Sequence, residues 1–250
     1  GFHAEALVRD VNGKTIKALN PRSRWLPVAQ TPGSAIDFVV EAAANPLILG
    51  VPPFQPTLNG DKLTASLEEL YHFRHADLVI VNKDVYGLAL DIQVLHEMIE
   101  AAPHFGDYEW NVLFGLNRAL DCLDLDDVVS TAGAAREVLK PFMEAPALPG
   151  AHRISAVGHA HIDSAWLWPL CETRRKVNRT LANVVRLIED GSSLIFALPA
   201  AQHAAWLKED DPELFERVRD LVAQGRIVPV GGMWVEPDAV LPGGEAMCRQ

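Results

Sequence analysis

Ile154-Ser155-Ala156-Val157-Gly158-His159-Ala160-His161-Ile162-Asp163-Ser164-Ala165-Trp166-Leu167-Trp168-Pro169 is the stretch on which the reading of this sequence turns. A short apolar run leads into two histidines and an aspartate at alternating positions, and an aromatic pair follows. Alternate residues of an extended strand point to one face, so the spacing predicts that His159, His161 and Asp163 converge on one point. Nitrogen and oxygen donors gathered in that way suit a zinc-like ion. A lone histidine beside a strand is ordinarily just hydrogen-bonded, whereas two with a carboxylate at this spacing point to a metal site.

Downstream the sequence alternates between strand and helix patterns. Glu172 to Asp190 reads as an amphipathic helix with Val177, Leu181, Val184 and Ile188 on one stripe, closed by Gly191. Leu194 to Leu198 is continuously apolar, as a strand covered on both faces should be. A second helix opens with Asp211 as N-cap and Pro212 at its first position and ends before Gly225, and Ile227 to Val230 reads as a third strand. Residues 151–250 are therefore expected to be the first βαβαβ part of a larger domain: α/β, the start of a parallel β/α-barrel-like fold. Such folds place their sites at the C-terminal ends of the strands, where the His-Asp motif falls. The third strand ends similarly in Gly231-Gly232-Met233-Trp234-Val235-Glu236-Pro237-Asp238. That run reads either as a simple turn with a core tryptophan or as the second wall of a shared pocket.

Upstream, residues 1–84 are rich in Pro, Gly and β-branched side chains and predict a partial β-rich module. Its strands are expected at Ala35–Ala42, Pro46–Gly50 and Ala76–Val81. Residues 85–150 form a helical connecting segment. Leu88, Ile92, Leu95 and Ile99 share one stripe, Val112, Leu116 and Leu120 a second, and Val128, Ala132, Ala135, Val138 and Leu139 a third. Asp121, Asp124, Asp126 and Asp127 read as a solvated connection running into a helix N-terminus, since a calcium loop would need a glycine and a terminal glutamate that are missing here.

Composition narrows the function classes. The net charge of −11 lacks the basic footprint of general nucleic-acid binding. No apolar run approaches a membrane span and no leader pattern is visible. Cys122, Cys171 and Cys248 are scattered and form no CxxC motif, which fits a reducing compartment and a cytoplasmic protein. Asn178-Arg179-Thr180 matches the glycosylation sequon but falls inside a helical pattern and reads as chance. Both ends read as cut: the chain begins at Gly1-Phe2-His3 and stops at Met247-Cys248-Arg249-Gln250, in what looks like the start of a helix.

The segment GHAHIDSAWLWPLCETRRKVNRT, residues 158–180, resembles the start of the catalytic domain in glycoside hydrolase family 38, the α-mannosidases of cytosolic or bacterial type. GRIVPVGGMWVEPDAVLPGGEAMCRQ, residues 225–250, resembles the same family in the expected order, as does Glu209 to Phe215 between them. The resemblance implies a retaining α-mannosidase acting on terminal α-mannosides or oligomannose. His161 and Asp163 would be two ligands of a Zn2+ ion, with Co2+ as a divalent substitute, and Trp166 would lie under the sugar ring. Trp234, Glu236 and Asp238 would stand at the substrate rim. His159 matches a family histidine that is not itself a ligand. The nucleophile, the acid/base and the remaining zinc ligands are implied to lie beyond Gln250, so the 250 residues alone are expected to be inactive; the full-length form admits a homo-oligomer. One departure is that Leu198 to His203 sits where relatives carry a serine after the strand and an aromatic residue after the glutamine.

The chemistry required is consistent with this reading. A retaining glycosidase needs two carboxyl groups about 5 Å apart, a divalent ion can orient hydroxyls and stabilise charge, and an aromatic face supports a sugar. Two alternatives compete. A metal-dependent amidohydrolase would use both His159 and His161 as ligands but leaves Trp166-Leu167-Trp168-Pro169 unexplained. A non-catalytic carbohydrate-binding protein would account for the β-rich first part and the six tryptophans.

Overall fold

A computed structural model describes residues 4–28, 33, 35–44, 74–101, 106–146, 150–164, 170–236, 240 and 242–249. They pack as two compact units, one drawn from residues 1–73 and 155–250 and the other from residues 74–154. The three consecutive segments expected from composition (1–84, 85–150 and 151–250) follow chain order, whereas the packing pairs the first strands with the last hundred residues.

In the first unit, β1 (Ala4–Asp10) lies between β2 (Thr15–Leu19) and β3 (Phe38–Ala44), antiparallel to both. Leu7 of β1 pairs with Ala18 of β2, and both are buried in the core. That sheet meets the helix α4 (Leu170–Glu189), whose Val177, Leu181, Val184 and Ile188 form the stripe that the sequence pattern foretold, with Val185 buried beside them. Polar groups fix the contact: Asn183 Oδ1 accepts from the Ala18 N–H at 3.2 Å, and Arg179 donates to Glu5 at 2.9 Å and to Glu172 at 2.7 Å. Asn178 and Arg179 are buried, so the sequon lies inside the packed helix.

Beyond α4, β4 (Phe196–Leu198) and β5 (Ile227–Pro229) pair in parallel, with Phe196 opposite Ile227. Between them run α5 (Ala201–Asp210) and α6 (Pro212–Ala223). Asp211 caps α6 by accepting from the Leu214 N–H at 3.0 Å, and Pro212 occupies its first turn. Phe196, Leu198, Leu207, Leu214, Val218 and Ile227 complete the core. The short helix α7 (Gly244–Arg249) follows.

Two sequence expectations are corrected. Residues 154–157 form no strand; β pairing begins only at Gly158, whose N–H donates to Ile195 O at 2.9 Å and whose carbonyl accepts from the Ala197 N–H at 2.8 Å. The close approach needs glycine, because a Cβ at residue 158 would stand 3.0 Å from Ile195 O and closer still to the Leu194 side chain. Residues 76–81 likewise form no strand, and Leu78 to Val81 are exposed. An apolar run becomes a strand only where a neighbour offers hydrogen bonds, and neither segment meets one among the described residues. The strand expected at Ala35–Ala42 is realised as β3, while that at Pro46–Gly50 lies outside the described residues.

The second unit contains α1 (Lys83–Ala101), α2 (Asp107–Asp121) and α3 (Val128–Met143). Leu88, Leu95, Val112, Leu116, Ala132, Ala135 and Leu139 pack together as their stripes predicted. Leu120, expected on the second stripe, is exposed. The aspartate cluster is a capped connection: Asp127 accepts from the Ser130 N–H at 3.2 Å and Asp124 from the Asp126 N–H at 2.9 Å.

Candidate active site

Three connections in the first unit bring polar side chains to the C-terminal side of the parallel strands. The first follows Gly158, the second joins β4 to α5, and the third follows β5. Gly231 turns the chain after β5 with φ of 77°, a conformation that favours glycine. The second and third connections are then tied together by the Gln202 N–H donating to Trp234 O at 2.9 Å and the Ala201 N–H to Met233 O at 3.3 Å.

Along the first connection the three candidate donors do not converge. His161 Nε2 and Asp163 Oδ1 are 3.1 Å apart, whereas His159 Nδ1 turns to Ala197 O at 3.4 Å. The alternation argument fails because residues 159–163 are not strand. His161 is 77% exposed and Asp163 33%, so the pair opens to solvent. Ligand bonds of about 2.0–2.2 Å put two donors of a tetrahedral ion about 3.4 Å apart, close to the spacing of this pair. The two therefore fit one edge of a zinc site, and among the described residues no third histidine, cysteine or carboxylate joins them.

Beside this pair stands a contact that sequence reasoning missed. Ser164 donates to Glu236 twice, from its backbone N–H to Oε1 and from its hydroxyl to Oε2 at 2.8 Å. Behind the hydroxyl lies His203 Nε2 at 3.5 Å, on a ring that is buried and stacked near Trp206. A small apolar cleft walled partly by Ile162, Leu181, Phe196 and Leu198 adjoins His203.

Burial lowers the pKa of His203, partly offset by the Glu236 charge, so the imidazole is held neutral. For Glu236, partial burial opposes ionisation. The hydrogen bonds from its own backbone and from Ser164 outweigh that burial and hold the carboxyl below its ordinary value, and a protonated His203 would lower it further. Glu236 is thus an ionised, acceptor-only group. Trp234 is exposed at the same rim. Trp166 and Asp238 lie outside the described residues. The one sequence signal for Ser164 was its place directly after Asp163; nothing in the sequence pattern marked His203 as its neighbour.

Short parallel strands with titratable groups at their C-terminal ends define an α/β domain of the kind that binds or transforms small molecules at that edge. Residues 151–250 match the glycosyl hydrolases family 38 N-terminal domain. Through this segment the chain belongs to glycosyl hydrolase family 38. It is 35% identical over 183 residues to alpha-mannosidase 2C1 of Mus musculus, covering 73% of this chain and 18% of that relative. It is 31% identical over 191 residues to an alpha-mannosidase of Saccharomyces cerevisiae, covering 72% of this chain and 18% of the relative. Alpha-mannosidase G of Dictyostelium discoideum is 28% identical over 183 residues, 73% of this chain and 17% of that protein. The chain thus spans less than a fifth of the length of these relatives. Among the described residues, no helix is long and apolar enough to cross a membrane.

Proposed function

We propose that the protein carrying this chain is a retaining α-mannosidase that acts on terminal α-mannosides. The observation that carries the reading furthest is the His161–Asp163 pair at 3.1 Å beside the Ser164–Glu236 contact, which gathers two metal donors and an ionised carboxylate in a family 38 domain. In this proposal His161 and Asp163 hold two positions of a Zn2+ site, with Co2+ as a substitute. When bound, the ion would orient sugar hydroxyls and offset developing charge. Trp166 supports the apolar face of the sugar, and Trp234, Glu236 and Asp238 read its hydroxyls at the rim. The parallel strands are the opening of a barrel-like catalytic domain. Nucleophile, acid/base and the other metal ligands come from outside residues 1–250, so these residues alone bind zinc weakly and hydrolyse nothing. A reducing, cytoplasmic setting is supported by three exposed free cysteines.

The test is hydrolysis of an aryl α-mannoside by the protein that contains this chain, with the anomer of the first product read by NMR. Retention of the α anomer and loss of activity on chelation are expected; inversion, or hydrolysis by residues 1–250 alone, would overturn the proposal. His161→Ala and Asp163→Ala should each abolish zinc retention measured by elemental analysis. His159→Ala should leave it, since His159 is turned to Ala197 O, whereas an amidohydrolase would lose its metal with either histidine.

A further inference from the structure

The double contact between Ser164 and Glu236 joins residues 72 positions apart and ties the connection bearing His161 and Asp163 to the one following β5. A serine hydroxyl has one proton. Glu236 is ionised and can only accept, so that proton is committed to Glu236 Oε2. The hydroxyl oxygen then faces His203 Nε2 with its lone pairs free. An acceptor facing a neutral ring is best met by the tautomer that carries its proton on Nε2. At 3.5 Å this contact is long, but His203 is 1% exposed and has little access to solvent. The result is a directed relay of donors, from the His203 ring through the Ser164 hydroxyl to the Glu236 carboxylate.

We propose that Ser164, backed by His203, is the positioning residue that holds Glu236 at the rim as a fixed acceptor for a hydroxyl of the sugar ring. The substrate role of Glu236 rests on the α-mannosidase reading, and the positioning by Ser164 adds to it. Glu236 has both carboxylate oxygens partly engaged by one residue, which restricts its rotation and leaves remaining lone pairs for ligand. Because Ser164 directly follows Asp163, the carboxylate that reads the sugar and the aspartate of the donor pair are placed by one short segment. A carboxylate fixed before the substrate arrives spends little ordering entropy on binding, so its loss should appear in substrate affinity rather than in the chemical step.

Two measurements test the proposal, and they fail separately. In the 15N-histidine-labelled protein containing this chain, long-range 15N–1H spectra at neutral pH should show His203 neutral with its proton on Nε2, and Ser164→Ala should move the Nε2 shift. An Nε2 without a proton, a doubly protonated ring, or an unchanged shift in Ser164→Ala would overturn the relay whatever the protein hydrolyses. In the protein containing this chain, Ser164→Ala should raise KM for an aryl α-mannoside about 10-fold with kcat held within about 3-fold, the pattern of lost uniform binding. Ser164→Thr, which keeps the hydroxyl, should restore KM. Equal loss in both variants, or a fall in kcat with KM unchanged, would overturn the positioning role. A protein inert on every α-mannoside, with the NMR result as expected, would instead sink the α-mannosidase reading.

Discussion

Residues 74–154 and the unit built from residues 1–73 and 155–250 hold their helices in place by different means. In the three-helix unit, all buried side chains among the described residues are apolar, from Leu88 through Leu139, and Arg136 with Asp84 and Asp91 lies toward the surface. In the other unit charge goes inside. Arg179 is 4% exposed between Glu5 and Glu172, and Asp211, 5% exposed, accepts from Thr15 Oγ1 at 2.5 Å and Arg9 at 2.9 Å while capping α6. Short connections already deliver neighbouring helices to each other, so non-directional apolar contact completes the packing. Strands that arrive from about 170 residues away need directional groups to fix their register.

The contrast can be broken most sharply at Arg179. Arg179→Ala leaves Glu5 without its partner, while Glu172 keeps Arg175 at 3.3 Å, and should cost about 3 kcal/mol, read from the urea midpoint of the first unit. An unchanged midpoint would erase the distinction between the units. Leu139→Ala, a plain cavity in the second unit, should cost about 3 kcal/mol, while Arg136→Ala beside it should leave the midpoint nearly unchanged. Two aspartate caps give a finer comparison. Asp127→Ala removes one exposed cap worth about 1 kcal/mol; Asp211→Ala also removes the acceptor of the buried Thr15 hydroxyl and the charge partner of Arg9 and should cost about twice that or more.

The smallest effect is a pH dependence of the first unit. His203 has a folded pKa below the ordinary 6.5, so the unfolded chain binds its proton first and stability falls as the pH drops below that value. Glu236 has a folded pKa below the ordinary 4.5, so its contribution is present above that value and is lost as the pH falls through the folded one. Melting temperatures followed from pH 7 to well below 4.5 should therefore decline in two stages, the first below 6.5 and the second below 4.5, and His203→Gln should remove the first. A decline unaffected by His203→Gln would place the acid sensitivity elsewhere.

Much of this was legible in the residues. The stripes of α1, α3 and α4, the Asp211-Pro212 start of α6 and the apolar cores of β4 and β5 each depend on neighbours within a few positions. The resemblance carried by residues 158–180 and 225–250 led to the right family for the same reason, since it rests on contiguous motifs. Residues 76–81 and 154–157 misled because they have strand composition without a strand partner. His159 misled because alternation assumes an extended strand that is absent there.

The sequence by itself determined α1 to α4 and α6, the Asp211 cap and, through contiguous motifs, the family, all of which depend on neighbours within a few positions, whereas α5 (Ala201–Asp210) was not foreseen. Tertiary structure alone decided that β1 to β3 join the last hundred residues, that Ser164 meets Glu236, and that His203 lies buried behind them. Those contacts depend on which strands become neighbours and on their register. Both are fixed by the summed packing of α4, the sheets and the buried ion pairs, and no single stretch of residues carries them.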